Sequence, residues 1–320
     1  MSVHIFTVNE ENYKICCERG LVALPESQNN NIFDGLLSRL ACIKENDYIL
    51  MYLIKPKKEL RGVWKADGSP FYEQTQVWPD RVYPFRCKIK PSEFYFDNPL
   101  RLNDINDLRN SGKIWTWSLQ RASGTNSMFS MSDYEFQIII GEYLKINPFS
   151  MNTRRILTPY PYHETDIRTF VHTNDEDLSY EFSVMTHLNY GFASGEFKEI
   201  FGNYTDFISY VPTNLGKEMD SLLMYGHPYD KNMILSYDII EVKRDEFDEK
   251  ALSQLIDYES WFLHKKVSGD QKMVRTTAIA KAFSPDVIDY VKKRTSIENK
   301  TIKLIRYGYD SQNGFSLSRI

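Results

Sequence analysis

The chain has little cysteine and no long apolar run. Of its 320 residues only Cys16, Cys17, Cys42 and Cys87 are cysteines, and none shows the C-x-x-C spacing of zinc or redox sites. This usage predicts reduced, mostly structural thiols in a cytoplasmic protein. No apolar run approaches membrane-spanning length, and the first residues lead into a strand-like pattern without signal-peptide character. We therefore expect no membrane association.

An excess of basic residues is also lacking. The 39 Lys and Arg residues stand against 43 Asp and Glu residues, which gives a formal net charge of -4 at pH 7. That balance excludes a uniformly basic nucleic-acid-binding chain, but it leaves room for a local basic groove. The six histidines show no metal-binding spacing. Aromatic residues are plentiful, with 21 Tyr and 19 Phe, and the length fits two domains.

The first half alternates strand-like runs with short helices and forms a predicted domain over residues 1–147. Strands are predicted over 3–8, 47–54, 59–65 and 82–90. Ser132 and Glu135 have the spacing of a capping box, which predicts a helix from Ser132 to about Ile146. Three prolines and weak periodicity after this helix predict a linker over 148–172.

The second half, residues 173–320, reads as helices and strands in alternation. The predicted order is a helix over 175–187, strands over 197–201, 206–211, 219–225 and 233–242, a helix over 248–265, a strand over 273–283, a helix opened by Ser284-Pro285, and a strand over 301–307. This order predicts an α/β (α+β) protein whose second sheet has mixed strand directions.

The most informative pattern lies on two neighbouring predicted strands. Asp220 opens one apolar run, and Glu241-Val242-Lys243 closes the next. Adjacent strands can bring the Asp220 and Glu241 carboxylates to one point, where hard oxygen ligands would bind a divalent cation. Lys243 returns to the face of Glu241 by the two-residue period of a strand, whereas Asp238 faces the opposite side. An ammonium there can orient an attacking water or stabilise charge on a phosphate.

This residue order resembles the PD-(D/E)XK nuclease superfamily, especially the branch of mismatch- and junction-cleaving endonucleases and RecB-like nucleases. The helix predicted after the Glu-Val-Lys motif carries Gln254 and Tyr258 in the Q-x-x-x-Y spacing of that superfamily, which places both on one helix face. The resemblance implies a restriction-endonuclease-like mixed sheet flanked by helices. It also implies catalysis by Asp220, Glu241 and Lys243, supported by Gln254 and Tyr258.

The resemblance further implies Mg²⁺ at Asp220 and Glu241, for which Mn²⁺ would substitute. Glu181 lies in the preceding predicted helix, where the superfamily often has a metal-facing acid, and we expect it to join the catalytic group. Glu176 and Glu199 remain alternatives to Glu181. By itself, a Glu-Val-Lys sequence is also common at a solvated strand end.

The first half has a resemblance of its own. The segments 43–52, 60–64 and above all 78–86, with the sequence Trp-Pro-Asp-Arg-Val-Tyr-Pro-Phe-Arg, resemble EVE domains. These domains group with YTH, PUA and SRA-type domains, so the resemblance implies a PUA-like curved β-sheet or barrel with helices. It also implies a pocket that accepts a flipped, usually modified, base.

A flipped base is bound by aromatic faces and by hydrogen bonds to its edge. Six aromatic residues of the first half are therefore candidates for the base pocket: Trp64, Phe71, Tyr72, Trp78, Trp115 and Trp117. Any single tryptophan is more often part of a hydrophobic core. We expect at least one of the four tryptophans to line a pocket.

Together the two resemblances imply a modification-dependent DNA endonuclease. Its partner would be double-stranded DNA that carries a modified base, and a double-strand cut favours a homodimer because it needs two active sites or two visits by one. Three alternatives remain open at this point. They are a structure-specific repair nuclease for mismatches or junctions, a non-catalytic reader of modified nucleic acid, and an RNA-directed enzyme.

Overall fold

The computed structural model describes residues 2–116, 127–149, 155–159, 163–174, 177–213, 215–230, 233–310 and 314–320. The chain divides into two compact units, Met1–Val171 and His172–Ile320. No helix in these described ranges has both the length and the apolar character needed to cross a bilayer.

One large sheet with helices forms the first unit. Its strands are β1 (Val3–Val8), β2 (Leu21–Leu24), β3 (Tyr48–Leu53), β4 (Glu59–Ala66), β5 (Phe71–Tyr72), β6 (Phe85–Pro91), β7 (Leu100–Arg101), β8 (Met128–Met131) and β9 (Thr165–Asp166). Its helices are α1 (Glu10–Arg19), α2 (Asn30–Leu40), α3 (Leu102–Asn110) and α4 (Asp133–Ile146), with a 3₁₀ turn over Ile167–Phe170.

The strand order of this sheet is β8-β1-β3-β4-β6-β5-β9, with β2 added to β6 and β7 added to β4. Strands β1 and β3 are parallel, and the other pairs are antiparallel. Within the described residues the two end strands, β8 and β9, do not pair with each other. The sheet is therefore open rather than closed into a barrel.

Helices α3 and α4 cover one side of this sheet. The core there contains Val3 and Leu50 from the strands and Ile105, Ile139 and Tyr143 from the helices. All five are fully buried. The four strands predicted in this half are present. The predicted helix is also present, because the Ser132 hydroxyl accepts from the N–H of Glu135, as a capping box requires.

The predicted linker of residues 148–172 contributes structure to the first unit. Its residues Thr165 and Asp166 form β9 and pair antiparallel with Tyr72 and Phe71 of β5. Phe170 stacks on Tyr72, with ring centroids 3.9 Å apart. A two-residue strand has too few residues to show a period, which is why the sequence pattern did not reveal it.

Helices flank a mixed six-stranded sheet in the second unit. The elements are β10 (Thr173–Asn174), β11 (Asp177–Leu178), α5 (Glu181–Ser194), α6 (Lys198–Phe201), β12 (Asp206–Pro212), β13 (Glu218–Gly226), β14 (Ile234–Val242), β15 (Glu246–Phe247), α7 (Glu249–Lys265), β16 (Val274–Ala280), β17 (Ala282–Phe283), α8 (Pro285–Glu298), β18 (Ile302–Asp310) and β19 (Gly314–Arg319). The main sheet has the order β12-β13-β14-β16-β18-β19.

Strand direction changes within this sheet. Strands β12, β13 and β14 are antiparallel, β14, β16 and β18 are parallel, and β19 returns antiparallel to β18. The parallel steps are joined by α7 and α8, since a parallel connection requires a crossover. The predicted α/β (α+β) class with mixed sheets is confirmed.

Two element predictions in the second half are wrong. The helix predicted from residue 175 begins only at Glu181, because β10 and β11 form a small antiparallel pair before it. The strand predicted over 197–201 is the short helix α6. Phe197 and Phe201 are four residues apart and both pack edge-on against Phe192, a spacing that brings side chains together on a helix and not on a strand.

The buried carboxylate of Glu135 generates a test of the first unit. Glu135 is fully buried and accepts hydrogen bonds from the N–H groups of Trp115, Thr116 and Ser132 and from two hydroxyls. Glu135→Ala leaves these donors unpaired, so we expect the free energy of unfolding to fall by roughly 3 kcal/mol. Urea denaturation followed by circular dichroism measures the change.

Glu142→Ala is the matched control, because Glu142 lies on the same helix and pairs with the exposed Lys145. A partly exposed pair of this kind contributes at most about 1 kcal/mol. Equal losses in the two variants would contradict a special role for the Glu135 cap.

Candidate functional site

Neighbouring strands β13 and β14 bring Asp220 and Glu241 together. Their antiparallel register pairs Ser221 with Ile240, so the next step along the ladder sets Asp220 opposite Glu241. The Asp220 Oδ2 atom also accepts a hydrogen bond of 2.7 Å from the backbone N–H of Val242. This bond fixes the Asp220 carboxylate at the end of β14, beside the Glu241 side chain.

Glu241 is the centre of the cluster. Its side chain is fully buried, and its Oε1 atom accepts from Lys243 Nζ and from Gln254 Nε2, each at 2.8 Å. The Lys243 side chain, 27% exposed, returns to the face of Glu241 as the strand period predicts. Val242, between them, points into the core and is fully buried.

Helix α7 supplies the two supporting residues. Gln254 donates to Tyr258 Oη at 2.9 Å as well as to Glu241, and Tyr258 Oη donates to the backbone carbonyl of Glu218 at 2.7 Å. Glu218 begins β13, the strand that carries Asp220. The Gln254–Tyr258 pair therefore ties the strand of one acid to the side chain of the other.

Glu181, the first residue of α5, contacts Lys243 on the solvent-exposed side of the cluster. Its Oε2 atom accepts from Lys243 Nζ at 3.3 Å, and its side chain is 42% exposed. Glu181 and Glu241 thus both accept from one ammonium group, and the charge of Asp220 also acts on it. Of the alternatives to Glu181, Glu199 lies on α6, and Glu176 falls outside the described residues.

Asp238 lies on the opposite face of β14. It is fully buried and accepts from Thr277 Oγ1 at 2.8 Å, with Lys303 Nζ at 3.5 Å. The alternation of side chains along the strand explains this separation from Glu241, as the sequence predicts.

Burial and the charges of neighbouring acids raise the pKa values of Asp220 and Glu241. Burial, followed by the charges of Glu241 and Glu181, raises the pKa of Asp220 well above its ordinary value. Burial raises the pKa of Glu241 to about 7, although the charge of Lys243 and its hydrogen bond oppose that rise. For Lys243, burial alone would lower the pKa, but the charge of Glu241 and then those of the other two acids outweigh it and raise the pKa.

The cluster has the ligand chemistry for a hard cation. The second oxygen of Glu241, Oε2, is buried and receives no hydrogen bond from any described residue. A buried acceptor left unpaired is unfavourable, and a cation would satisfy it. Among the described residues no group of three or more His, Cys, Asp or Glu side chains is arranged to hold a metal. Any metal here would therefore take one or two carboxylates and complete its shell with water or substrate oxygens, which suits Mg²⁺.

A cavity of about 290 Å³ lies in the first unit. Its wall comes from the end of β1, the start of α1 and the segment between β5 and β6. That segment contributes Trp78, Asp80, Arg81 and Tyr83. The volume exceeds that of one water many times over and is enough for a small organic group.

One polar wall of this cavity is a hydrogen-bonded triangle. Tyr83 Oη donates to Asp80 Oδ2 at 2.6 Å, and Asn12 Nδ2 donates to Tyr83 Oη at 3.2 Å and to Asp80 Oδ1 at 3.5 Å. The Asn12 Oδ1 atom is buried and has no donor among the described residues. Trp78 packs edge-on against Tyr83 with centroids 5.2 Å apart, and Arg81 lies over the Tyr83 ring at 4.9 Å. The wall combines aromatic rings with hydrogen-bond acceptors.

The six aromatic residues predicted for base binding are distributed through the first unit. Trp78 lines the cavity. Trp64, Phe71 and Tyr72 are buried on β4 and β5, and Trp115 is half-buried. Trp117 lies outside the described residues.

Sequence reasoning did not select the polar residues of the cavity. Asp80, Arg81 and Tyr83 belong to the EVE-like segment, but only its tryptophan stood out by residue type. Asn12 lies on α1, the helix that Asn9 caps, and the sequence shows it only as one polar residue in a charged helix.

Comparisons with other proteins give no family for the chain. No protein-family model matches it, and no curated protein matches it. Solved structures give matches of low similarity that extend over nearly all of the matched protein and under half of this chain. The protein Rpa0253 from Rhodopseudomonas palustris is 10% identical, with 46% of this chain and 96% of that protein covered and a TM-score of 0.32.

Two further matches are of the same kind. Human THYN1, solved in complex with DNA containing 5-methylcytosine, is 9% identical, with 45% of this chain and 98% of THYN1 covered and a TM-score of 0.34. The protein Atu2648 from Agrobacterium tumefaciens is 9% identical, with 44% of this chain and 92% of that protein covered and a TM-score of 0.32. These values establish no family for the chain.

The raised pKa of Glu241 predicts a pH effect on stability. Between its ordinary value of 4.5 and about 7, the folded protein holds a proton that the unfolded chain has lost, so the free energy of unfolding falls as the pH rises. Glu241→Gln removes this dependence. In metal-free buffer we take the free energy of unfolding of the variant minus that of wild type. We expect this difference to be roughly 1–3 kcal/mol larger at pH 8 than at pH 5.

Urea denaturation at several pH values measures this difference. Glu246→Gln is the control, because Glu246 is exposed on β15 in the same unit and should leave the pH profile unchanged. If the plots of unfolding free energy against pH were parallel for wild type and Glu241→Gln, the pKa of Glu241 would not be raised in the folded protein, which would contradict the prediction.

Proposed function

We propose that the second unit hydrolyses phosphodiester bonds in DNA with Mg²⁺. The observation that carries this proposal is the arrangement around Glu241, a buried carboxylate held by Lys243 and Gln254 and lying opposite Asp220. The purely structural Glu135 has hydrogen-bond donors on both of its carboxylate oxygens, whereas Glu241 keeps one buried oxygen without a donor among the described residues, beside a lysine that is 27% exposed. The order of β13, β14 and α7 along the chain also agrees with the order that the nuclease resemblance implies.

Each side chain has a distinct part in this reaction. Asp220 and Glu241 would hold Mg²⁺, which supplies Lewis-acid polarisation of the phosphate and a more acidic bound water. Lys243 has one side toward solvent, and its ammonium would donate to the attacking water or to a non-bridging phosphate oxygen as negative charge develops. Gln254 and Tyr258 hold Glu241 in place from the helix behind it.

The cavity of the first unit would take a modified base that has left its stack. Trp78 and Tyr83 offer aromatic surface to the base, and Asp80 and Asn12 offer acceptors to donors on its edge. A cytosine or adenine base presents such a donor in its exocyclic amine. The modification then distinguishes the target from ordinary DNA by filling the rest of the cavity.

Together the two activities would make the chain a modification-dependent DNA endonuclease. The first unit would choose the target, and the second would cut near it. A double-strand break needs two catalytic centres or two visits by one centre, and a homodimer on the DNA would supply two centres.

The catalytic proposal predicts the effect of three substitutions. Asp220→Asn, Glu241→Gln and Lys243→Met should each reduce Mg²⁺-dependent cleavage of modified duplex DNA by on the order of 10²-fold or more, since each removes a metal ligand or a charge aimed at the transition state. DNA binding should change little. Mg²⁺ should raise the melting temperature of wild type and not that of Glu241→Gln.

Asp238→Asn is the matched control, because Asp238 is a buried acid on the same strand but on the opposite face. It should cut at close to the wild-type rate wherever it is folded. Cleavage by Asp220→Asn at the wild-type rate would rule out the proposed centre.

The cavity proposal predicts a loss of discrimination. Trp78→Leu should weaken binding to a modified duplex by roughly 10- to 100-fold, because stacking on an aromatic ring contributes about 1–3 kcal/mol per base. Binding to the unmodified duplex should hardly change. Fluorescence anisotropy with the two duplexes measures both affinities.

Trp64→Leu is the control for loss of a buried tryptophan. Trp64 is 1% exposed and Trp78 is 2% exposed, so both substitutions should lower the melting temperature. Only Trp78→Leu should change the ratio of the two affinities. An equal ratio in wild type and folded Trp78→Leu would contradict base binding in this cavity.

A further inference from the structure

The wall of the cavity depends on a segment without regular structure. Residues 73–84, between β5 and β6, contain neither helix nor strand, yet they carry Trp78, Asp80, Arg81 and Tyr83. A loop of this length that is exposed to solvent would sample many conformations. Something in the surrounding structure must therefore hold it in one shape.

Arg86, the second residue of β6, lies directly behind this loop. Its side chain is fully buried, and its Nε–H donates to the carbonyl of Tyr83 at 2.8 Å. Its two terminal nitrogens donate to the Glu73 carboxylate and to the carbonyl of Thr75. One planar guanidinium therefore contacts both ends of the loop.

The same guanidinium supports the aromatic wall. The Arg86 Cζ atom lies 5.7 Å from the centroid of the Trp78 ring, within the range of a cation–π contact. Glu73, 8% exposed, accepts from the N–H of Thr75 at 3.1 Å, and its own N–H donates to the carbonyl of Pro84. The Arg86–Glu73 ion pair is thus hydrogen-bonded to the backbone at both ends of the loop.

From this geometry we infer that Arg86 is a positioning residue for the cavity, which fixes residues 73–84 in their binding shape before a ligand arrives. The inference rests on the proposed base-binding function of the cavity. A lysine cannot replace the guanidinium, because it offers one point charge in place of a fork of five donors. With Lys at this position the ion pair to Glu73 remains possible, but the loop carbonyls lose their donors.

Arg86→Lys in the full chain tests the inference. A loop that holds its binding shape only part of the time lowers the apparent affinity by that fraction, so we expect binding to a modified duplex to weaken by about tenfold. Binding to unmodified duplex through other surfaces should stay the same. Both affinities are measured by anisotropy at a temperature well below the melting point of the variant.

Arg294→Lys is the matched control. Arg294 is a buried arginine on α8 of the second unit, 8% exposed, and it pairs with the buried Glu259 at 2.6 Å. Both lysine variants should lose stability, but only Arg86→Lys should lose the preference for modified DNA. A folded Arg86→Lys protein with the wild-type preference would overturn the inference.

Hydrogen exchange of the wild-type protein keeps the test independent of the variants. The amides of Glu73 and Thr75, which donate to the Pro84 carbonyl and to the Glu73 carboxylate, should already be protected without DNA, and their protection should rise only slightly with modified duplex. Rapid exchange of these two amides in the free protein would overturn the inference. If wild type itself shows no preference for any modified duplex, the proposed base-binding function fails, whatever the exchange data show.

Discussion

The burial of the Glu241 carboxylate is the constraint on which the second unit is built. A fully buried acid needs hydrogen-bond donors, and Lys243 and Gln254 supply them from the end of its own strand and from α7. In the register that β13 and β14 adopt, the Asp220 carboxylate accepts from the N–H of Val242 and lies beside Glu241. The same burial raises the pKa of Glu241 to about 7, so the ionised carboxylate is unfavourable for folding near neutral pH, a cost that the cation we propose would offset.

The first unit meets a comparable requirement with a different group. Its cavity wall is an irregular loop, and a loop keeps one shape only when its backbone groups are bonded. Arg86 satisfies two loop carbonyls and one carboxylate from beneath, while Asn12, Asp80 and Tyr83 bond to one another at the wall itself. In both units a buried ionic or polar group holds the residues proposed to contact DNA.

The sequence predicted the faces of the site residues on β14 and the start of α4, each from a different pattern. Strand alternation alone placed Glu241 and Lys243 on one face and Asp238 on the other. The Ser132–Glu135 spacing located the start of α4. Predictions of the short elements failed because two to four residues are too few to show a period. For this reason the strand predicted over 197–201 is the helix α6 in the structure. The cavity residues Asn12 and Asp80 could not be predicted, because they meet only through the tertiary fold.

The most direct test of the account uses one plasmid prepared in parallel with unmodified cytosine, 5-methylcytosine, 5-hydroxymethylcytosine, glucosylated 5-hydroxymethylcytosine and N6-methyladenine. The purified wild-type protein is incubated with each plasmid, with Mg²⁺ and with EDTA, and the products are separated on an agarose gel. The account predicts Mg²⁺-dependent cutting of at least one modified plasmid while the unmodified plasmid stays intact. Equal cutting of every plasmid, or binding of a modified plasmid with no cutting under any condition, would contradict it.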